Sequence, residues 1–567
     1  MESLVAALPA GGAAAAAAAA VGGLLAAAAL AGRAGAKNNS SNAPPGQSAT
    51  VIPRSLVWLM LLQGPDRVLL PDPPGSFSAP LILGVAEDWR SNSFGVSHNR
   101  AHFLSVPGLP IVGNLLQLKE KKPHQTFTKW AEIYGPIYTI KTGASSVVVL
   151  NSTQVAKEAM IAKFSSISTR KLSKALSVLT RDKTMVATSD YGDFHKMVKR
   201  YVMTSMLGTS GQKQFRDTRN MMVDNMLNTF HTLLNDDPNA PLNFREVFKN
   251  ELFRLSLIQA LGEDVSSVYV EEFGKDISKE EIYQATVVDM MMCAIEVDWR
   301  DFFPYLSWVP NRTFETRLLT TEGRRTAVMR ALINQQKKRI ARGAARISYL
   351  DFLLAENTLT DEQLLMLVWE AVIEAADTTL VTTEWAMYEV AKHPGKQDRL
   401  YQEIQEVCGN DIVTEDHLPR LPYLNAVFHE TLRRHSPVSL VPPRFVHENT
   451  NLAGYDVPAG TEMVINLYGC NMNKSDWEEP EEWKPERFLD GRFESADMYK
   501  TMAFGAGRRA CAGSMQAMYI SCTAIARFVQ EFAWRLKEGD EDKADTIQLT
   551  TNRLYPLYVY LTPRGRE

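Results

Sequence analysis

Cysteine is scarce in this sequence, and basic residues are not in excess. The five cysteines among 567 residues are odd in number and scattered, and no two of them stand at C-x-x-C spacing. This pattern argues against a disulfide framework and against a zinc site, and it favours a reducing compartment for the folded part. With a formal net charge of −4 and no basic run, a nucleic-acid-binding function is not expected.

Strongly apolar runs of membrane-spanning length are also missing, apart from one weak candidate. Residues 5–32 carry no charge and exceed the about 20 residues that cross a bilayer, but alanine and glycine stand where leucine is typical. We interpret residues 1–36 as a membrane anchor or targeting tract; a low-complexity alanine tract is the alternative. Because no basic segment precedes the tract while Arg33 and Lys37 follow it, we expect an uncleaved anchor with the rest of the chain in the cytosol.

A linker and an atypical segment are predicted over residues 37–105. The polar stretch 37–45 is typical of a linker, and the stretch 106–114, rich in proline and glycine, is typical of a stiff lead-in to a folded domain. Between them, residues 47–105 have only short apolar runs and no sustained periodicity. This segment is either an extra loop or amphipathic membrane contact, or a retained intron. The second interpretation is favoured, which predicts that the segment is dispensable for fold and catalysis.

The rest of the chain alternates helical segments with a few strand-like runs, so a mainly α fold with small β-sheets is predicted. The runs "PIYTIKTG" and "SSVVVLN" are typical of strands. The longest helical pattern begins with a capping box at Thr360 and Gln363 and stops before Pro394. At 1.5 Å per residue, this pattern gives roughly 50 Å of helix. A helix of that length runs through a domain.

One cysteine stands in a glycine-rich motif near the end of the chain. The stretch "FGAGRRACAG" places Phe504, Arg509 and Cys511 in the pattern F-x-x-G-x-R-x-C-x-G, and an apolar helical pattern follows as far as Trp534. The glycines permit a tight turn that brings backbone N–H groups near the sulfur. A cysteine at a helix N-terminus beside an arginine is expected to favour the thiolate, the form that binds metals. A buried inert cysteine is the alternative.

The motif around Cys511 resembles the haem-thiolate loop of the cytochrome P450 monooxygenases. This resemblance implies the cytochrome P450 fold for residues 106–567, with haem b as cofactor and Cys511 as axial ligand of its iron. It also implies O2 as a substrate and an NADPH-cytochrome P450 reductase as partner. Thiolate ligation raises the electron density at iron and favours O–O cleavage. Phe504 and Arg509 would contact the haem, with Arg509 pairing to a propionate.

Further motifs match the same family. "HETLRRHSP" supplies Glu430 and Arg433 at E-x-x-R spacing, and "WKPERF" supplies Arg487. In the family, these three residues form a structural network behind the haem, although an E-x-x-R pair alone is more often a surface ion pair. Arg444 of "VPPRF" falls where the family places an arginine that binds a haem propionate.

The resemblance also assigns proton delivery to the long helix. Asp377 and Thr378 of "EAADTT" match the acid and the alcohol that protonate bound dioxygen in the family. The alternative for Thr378 is a hydrogen bond to the carbonyl group four residues earlier. Glu374 departs from the alanine that is usual at its position. His195 and Lys199 stand where many members have a tryptophan and an arginine that contact a propionate; both can still donate hydrogen bonds.

Longer segments, such as "VWEAVIEAADTTLVTTEWAMYEVAKHP", resemble the plant ent-kaurene oxidases, those of grasses in particular. This resemblance implies stepwise oxidation of one methyl group of the diterpene ent-kaurene, through alcohol and aldehyde, to ent-kaurenoic acid in gibberellin biosynthesis. The membrane would be the endoplasmic reticulum or the plastid outer envelope. Two alternatives remain open: a paralogue that oxidises another labdane-related diterpene in defence metabolism, and a non-catalytic haem-binding or disabled gene product.

Overall fold

The described part of the protein is the large domain that follows the linker. The computed structural model describes residues 103–118, 122–491, 501–540, 546–547 and 550–565. The predicted anchor over residues 1–36, and the predicted linker and atypical segment as far as residue 102, lie outside the described residues. Within the described ranges, no helix is both long enough and apolar enough to cross a membrane.

The described residues are mainly helical, as predicted. Their α-helices, in chain order, are α1 Pro123–Tyr134, α2 Thr153–Lys157, α3 Lys174–Leu179, α4 Asp193–Val202, α5 Thr209–Gln214, α6 Arg216–Asp236, α7 Phe244–Leu261, α8 Lys279–Tyr283, α9 Asp289–Ala294, α10 Trp299–Phe302, α11 Arg312–Ala341, α12 Tyr349–Glu356, α13 Asp361–Lys392, α14 Pro394–Cys408, α15 Pro422–Arg434, α16 Leu467–Asn471 and α17 Ser514–Glu531. Short 3₁₀ segments include Pro485–Phe488 and Gly507–Arg509.

The longest helix, α13, begins and ends where the sequence predicts. The side chain of Thr360 accepts a hydrogen bond from the backbone N–H of Gln363, and the Gln363 side chain accepts one from the backbone N–H of Thr360. The helix has 32 residues, which corresponds to about 48 Å at 1.5 Å per residue. Most side chains between Leu364 and Ala391 are buried, and α13 packs against α7 on one side and α17 on another. Because it is apolar nearly all round, it runs through the domain core.

The strands form one five-stranded sheet and several smaller ones. They are β1 Ile137–Thr142, β2 Ser145–Leu150, β3 Thr169–Arg170, β4 Leu242–Asn243, β5 Ser267–Val270, β6 Lys275–Ser278, β7 Arg444–Phe445, β8 Thr450–Leu452, β9 Tyr455–Val457, β10 Glu462–Ile465, β11 Phe532–Leu536, β12 Thr546–Ile547, β13 Asn552–Arg553 and β14 Tyr558–Pro563. The predicted strands β1 and β2 pair antiparallel and begin a sheet of order β1-β2-β10-β7-β3. In this sheet β10 runs parallel to β2, and β7 runs antiparallel to both β10 and β3.

The helix that follows Cys511 is shorter than predicted. It ends at Glu531, and the next residues form β11, which pairs antiparallel with β14. The alternating burial of residues 532–534 is typical of a strand and not of a helix. Phe532 and Trp534 are buried on one face of the strand, while Ala533 between them is half-buried. An apolar run continues through both elements, so the sequence pattern alone does not show where the helix stops.

Residues just before the lead-in contact the five-stranded sheet and the β8-β9 hairpin. The ring of Phe103 stacks on Tyr455 at 4.6 Å between centroids, and the backbone N–H of Thr139 donates to the carbonyl of Leu104 at 2.9 Å. The last three residues of the atypical segment 47–105 therefore contact the domain. A deletion designed to test whether that segment is dispensable should retain them.

Candidate functional site

The loop that carries Cys511 is a tight turn in front of α17. The backbone N–H of Cys511 donates to the carbonyl of Phe504 at 2.9 Å, which closes the loop. Gly507 has a φ of +68°, and a Cβ added there would lie 2.5 Å from the carbonyl oxygen of Met160. The position therefore requires glycine, both for its conformation and for its close approach to a neighbouring backbone.

The Cys511 sulfur faces a space that the protein encloses. Cys511 is exposed, yet burial is the main cause that raises the pKa of its thiol to about 11, and Glu374 adds to the increase. The backbone N–H groups of Gly513 and Ser514 and the ammonium of Lys199 act in the opposite direction. The prediction that the loop by itself favours the thiolate is therefore wrong, because burial outweighs these donors. A thiolate forms here when a metal cation displaces the proton.

Three arginines, two of them buried and Arg509 half-buried, lie together beside this loop. Arg170 on β3 stands opposite Arg444 on β7 in the antiparallel pair, and Arg509 belongs to the loop itself. Burial, and then repulsion from the other two arginines, lowers the pKa of Arg170 to about 9. Burial and Arg509 likewise lower the pKa of Arg444 to about 10. The sheet and the Cys511 loop thus bring together three cations from distant parts of the chain.

These cations have no carboxylate bound to them among the described residues. Arg170 donates to two backbone carbonyl groups at 3.0 and 3.1 Å, and Arg444 donates to one at 3.2 Å. Within the part of the chain that the structure describes, the buried Nε atoms of Arg444 and Arg509, and Nε2 of His195, have no hydrogen-bond partner. Because unpaired buried cations are costly, the cluster is suited to a ligand with more than one carboxylate. The two propionates of haem b fit this cluster, and the neighbouring sulfur is a ligand suited to its iron.

His195 and Lys199 lie on α4 and contact the loop in different ways. His195 Nδ1 is 3.0 Å from Ser189 Oγ and 3.3 Å from Arg509 Nη1. Burial, followed by the charges of Arg509 and Lys199, lowers the pKa of His195 to about 4, so the ring is neutral near pH 7. Lys199 Nζ donates to two backbone carbonyl groups of the Cys511 loop at 2.9 and 3.2 Å. His195 therefore joins the arginine cluster, whereas Lys199 holds the loop backbone.

The structure brings Glu430, Arg433 and Arg487 together in the core. The Glu430 carboxylate accepts hydrogen bonds from Arg433 Nε at 2.7 Å and Nη2 at 2.8 Å, and from Arg487 Nε at 3.1 Å. It also accepts the backbone N–H of Lys484 at 2.7 Å. Both guanidinium groups donate further to backbone carbonyl groups between residues 471 and 482. The network therefore joins α15 to the chain that surrounds Pro485–Phe488.

Asp377 and Thr378 are neighbours on α13, but their side chains have different partners. The buried Asp377 carboxylate accepts hydrogen bonds from Thr550 Oγ1 and from Asn552 Nδ2, the latter at 3.2 Å. Thr378 Oγ1 lies 3.5 Å from the carbonyl oxygen of Glu374, which is the local contact that the alternative interpretation predicts. Because that contact is long, the Thr378 hydroxyl is available to a better-placed partner.

Two charged residues of this region were missed by sequence reasoning. Arg170 belongs to no motif, and only the pairing of β3 with β7 places it beside Arg444, so the sequence carried no signal for it. Glu370 lies one helical turn before Glu374, and its carboxylate accepts two backbone N–H groups at 2.8 Å each. Two glutamates four residues apart in an otherwise apolar helix were a usable signal, because buried carboxylates require specific partners.

Comparison with known proteins agrees with this geometry. The family profile described as "Cytochrome P450" matches residues 104–557. The chain belongs to the cytochrome P450 family. Its mainly α fold with small sheets is confirmed as the fold of that family. Membership identifies the chain as a monooxygenase and implies haem iron with cysteine thiolate ligation, O2 as substrate and a reductase as redox partner.

Several cytochrome P450 proteins are similar along most of their length. The chain is 82% identical over 462 residues to "Ent-kaurene oxidase 2" of Oryza sativa subsp. japonica, an alignment that covers 82% of this chain and 92% of the relative. It is 69% identical over 465 residues to "Ent-sandaracopimaradiene 3-hydroxylase" of the same plant, covering 82% and 91%. A zebra fish cytochrome P450 solved with abiraterone superposes with a TM-score of 0.64 at 21% identity, covering 79% of this chain and 100% of the other, and shows the fold alone.

Proposed function

We propose that this cytochrome P450 is an ent-kaurene oxidase. The observation that carries the proposal is the 82% identity to a rice protein of that name, over 92% of its length. The substrate is then ent-kaurene, an apolar diterpene, and the product is ent-kaurenoic acid, formed through the alcohol and the aldehyde in gibberellin biosynthesis. Each oxidation takes one oxygen atom of O2 to the substrate, while the other leaves as water with electrons from NADPH.

In this proposal the cofactor is haem b, and the Cys511 sulfur would bind its iron. Arg170, Arg444, Arg509 and His195 bind its propionates, which supplies the cluster with the negative charge that it needs. When bound, the haem supplies O2 activation and transfer of an oxygen atom to carbon. The carbonyl of Phe504 holds the Cys511 amide, so the sulfur is fixed by the loop backbone.

Proton delivery is assigned to Thr378 and Asp377 on α13. Among the described residues, the Thr378 hydroxyl has a single long contact, 3.5 Å from a backbone carbonyl oxygen, so it can hold a proton on its face of α13. Asp377 is the neighbouring acid, and Thr550 and Asn552 fix its carboxylate in this structure. Glu430, Arg433 and Arg487 serve the fold and take no part in proton transfer.

The electron donor in this proposal is an NADPH-cytochrome P450 reductase. Lys196, Arg200 and Arg508 are exposed on α4 and on the Cys511 loop. A negatively charged surface of the reductase fits this basic face, which includes a residue of the Cys511 loop. The tract over residues 1–36 would anchor the protein in the endoplasmic reticulum or the plastid outer envelope, with the domain in the cytosol.

The decisive experiment is product analysis. Microsomes that contain the protein and the reductase are expected to convert ent-kaurene, with NADPH, into ent-kaurenoic acid, with the alcohol and aldehyde as earlier products in a time course. Mass spectrometry identifies each product, and omission of NADPH is the control. Haem-loaded protein that forms no oxidised product from ent-kaurene would contradict the proposal.

A second candidate function is supported by the relative named "Ent-sandaracopimaradiene 3-hydroxylase", which is 69% identical to this chain. Under this alternative the protein is a paralogue that oxidises another labdane-related diterpene. The same microsomes should be given ent-sandaracopimaradiene in parallel. Hydroxylation of this compound without oxidation of ent-kaurene would favour the alternative, and haem-loaded protein that oxidises neither would indicate a non-catalytic or disabled product.

Replacing Thr378 by alanine is expected to uncouple NADPH consumption from product formation. Without the hydroxyl, proton delivery is impaired and O2 is reduced to peroxide instead, so product per NADPH should fall by about a hundredfold, the lower end of the range for a proton-transfer group. Peroxide, NADPH and product are measured in the same reaction. Thr382→Ala is the matched control, because the Thr382 hydroxyl donates to a helix carbonyl at 3.0 Å. Coupling of Thr378→Ala at the parent level would refute the assigned role.

A further inference from the structure

Two carboxyl groups on α13 have no part in the mechanism proposed above. Glu370 and Glu374 stand one helical turn apart, and one of their carboxyl groups donates a hydrogen bond to the other, which requires that one of the two is protonated. The Glu370 carboxylate also accepts the backbone N–H groups of Val186 and Ala187, both at 2.8 Å. Three contacts therefore fix Glu370, and Glu370 in turn fixes the carboxyl group of Glu374.

Glu374 lies in the enclosed space that the Cys511 sulfur also faces. The Glu374 side chain is exposed, yet burial raises its pKa to about 7. Cys511 shows the same two properties, an exposed side chain and a pKa raised by burial. Its charge acts on both Cys511 and Arg170. Glu374 also lies one turn before Thr378 on the same face of α13. The carbon atom that is oxidised has to come close to this space, so Glu374 is within the substrate-binding region.

A hydrocarbon offers this carboxyl group no hydrogen bond. A carboxyl oxygen that faces an apolar ligand loses water and gains no hydrogen bond from the ligand, so a carboxyl group is a poor choice for binding ent-kaurene alone. The alcohol formed by the first oxidation differs, because its hydroxyl group can both donate and accept. The Glu370–Glu374 pair matches this property, since a carboxylate accepts and a protonated carboxyl group also donates.

We propose that Glu374 is a specificity-determining residue that hydrogen-bonds the hydroxyl group of the alcohol intermediate and retains it in the cavity for the next oxidation. Glu370 is a positioning residue that keeps the Glu374 carboxyl group in place. This inference rests on the proposed stepwise oxidation of a diterpene. The Glu374 carboxyl group is then the group by which the site distinguishes an oxygenated diterpene from the parent hydrocarbon.

Equilibrium binding tests the proposal without turnover. The absorption change of the oxidised haem protein is titrated separately with ent-kaurene and with its alcohol, for the parent protein, Glu374→Leu and Glu374→Gln. Leucine keeps the size but removes the hydrogen bond, so the ratio of the alcohol to the hydrocarbon dissociation constant should rise about fivefold to tenfold. Glutamine donates and accepts as the acid does, so that variant should stay within about twofold of the parent ratio.

Product analysis adds a second readout. Glu374→Leu should release the alcohol as its main product from ent-kaurene, whereas Glu374→Gln should still form the acid. The absorption spectrum of the reduced, CO-bound protein and a denaturant unfolding curve verify that each variant is folded and loaded. Glu374→Ala replaces the leucine variant if leucine prevents haem loading.

Several outcomes would overturn the proposal. An unchanged ratio in Glu374→Leu, or equal weakening of both ligands, would show that the carboxyl group does not select the alcohol. Peroxide release by Glu374→Gln with ent-kaurene, as expected for Thr378→Ala, would make Glu374 a proton donor instead. Failure of the proposed function is visible separately, because the parent protein would then neither bind nor oxidise ent-kaurene. The same ratio would in that case be measured with ent-sandaracopimaradiene and its alcohol.

Discussion

Cys511→Ala is expected to abolish both diterpene oxidation and the red-shifted absorption band that reduced haem-thiolate proteins show with CO. The loop closes around this sulfur through the Phe504 carbonyl, and backbone N–H groups at the start of α17 point to it. Alanine leaves the loop intact but offers iron no ligand, so thiolate electron donation and O–O cleavage are both lost. Product formation should fall to the background of microsomes without the protein.

Cys408→Ala is the matched control for this experiment. Cys408 is also a free cysteine, but it is buried and ends α14, outside the loop. Its replacement should cost some packing energy while the CO-bound band stays in place. A red-shifted band that persists in folded Cys511→Ala protein, or one that disappears in Cys408→Ala, would show that the iron ligand has been assigned to the wrong cysteine.

The sequence predicted those parts of the fold that depend on residues close together in the chain, namely a capped helix, a glycine-rich loop and a hairpin. The capping box at Thr360 and the proline at position 394 bracket α13, and both act within one helical turn. The glycine-rich motif located Cys511 because the loop needs glycine at position 507, where φ is +68°. Strands β1 and β2 were predictable because they form a hairpin with few intervening residues.

The rest of the site depends on residues that are distant in the chain, and here sequence reasoning fell short. Arg170 reaches the cation cluster only through the pairing of β3 with β7, whose residues are more than 270 positions apart. The partners of Asp377 lie more than 170 positions away. The Cys511 pKa was predicted in the wrong direction because burial, which the motif does not encode, outweighs the nearby donors.

The Glu430 network should have the largest effect on stability. Glu430→Ala is expected to give little haem-loaded protein, because it removes the carboxylate that accepts from both buried guanidinium groups, Arg433 and Arg487. Breaking a buried ion pair by removing one partner typically costs about 3–5 kcal/mol. The free energy of unfolding of a native protein is roughly 5–15 kcal/mol, so this loss is a large share of it. The denaturant midpoint and the haem content of the purified protein are the two measurements.

A surface ion pair provides the control, since burial, and not the number of ion pairs, determines the cost of removing one partner. Glu272 accepts from Arg330 at 3.2 Å, but both side chains are largely exposed. Glu272→Ala should therefore change stability by less than about 1 kcal/mol. The loss of stability in Glu430→Gln should lie between those of Glu430→Ala and Glu272→Ala, because the amide oxygen still accepts one of the hydrogen bonds while the charge is lost. Glu430→Ala could instead match the Glu272→Ala control in denaturant midpoint and in haem content. The network would then be no more than a local contact, and the link between α15 and Pro485–Phe488 would not stabilise the domain.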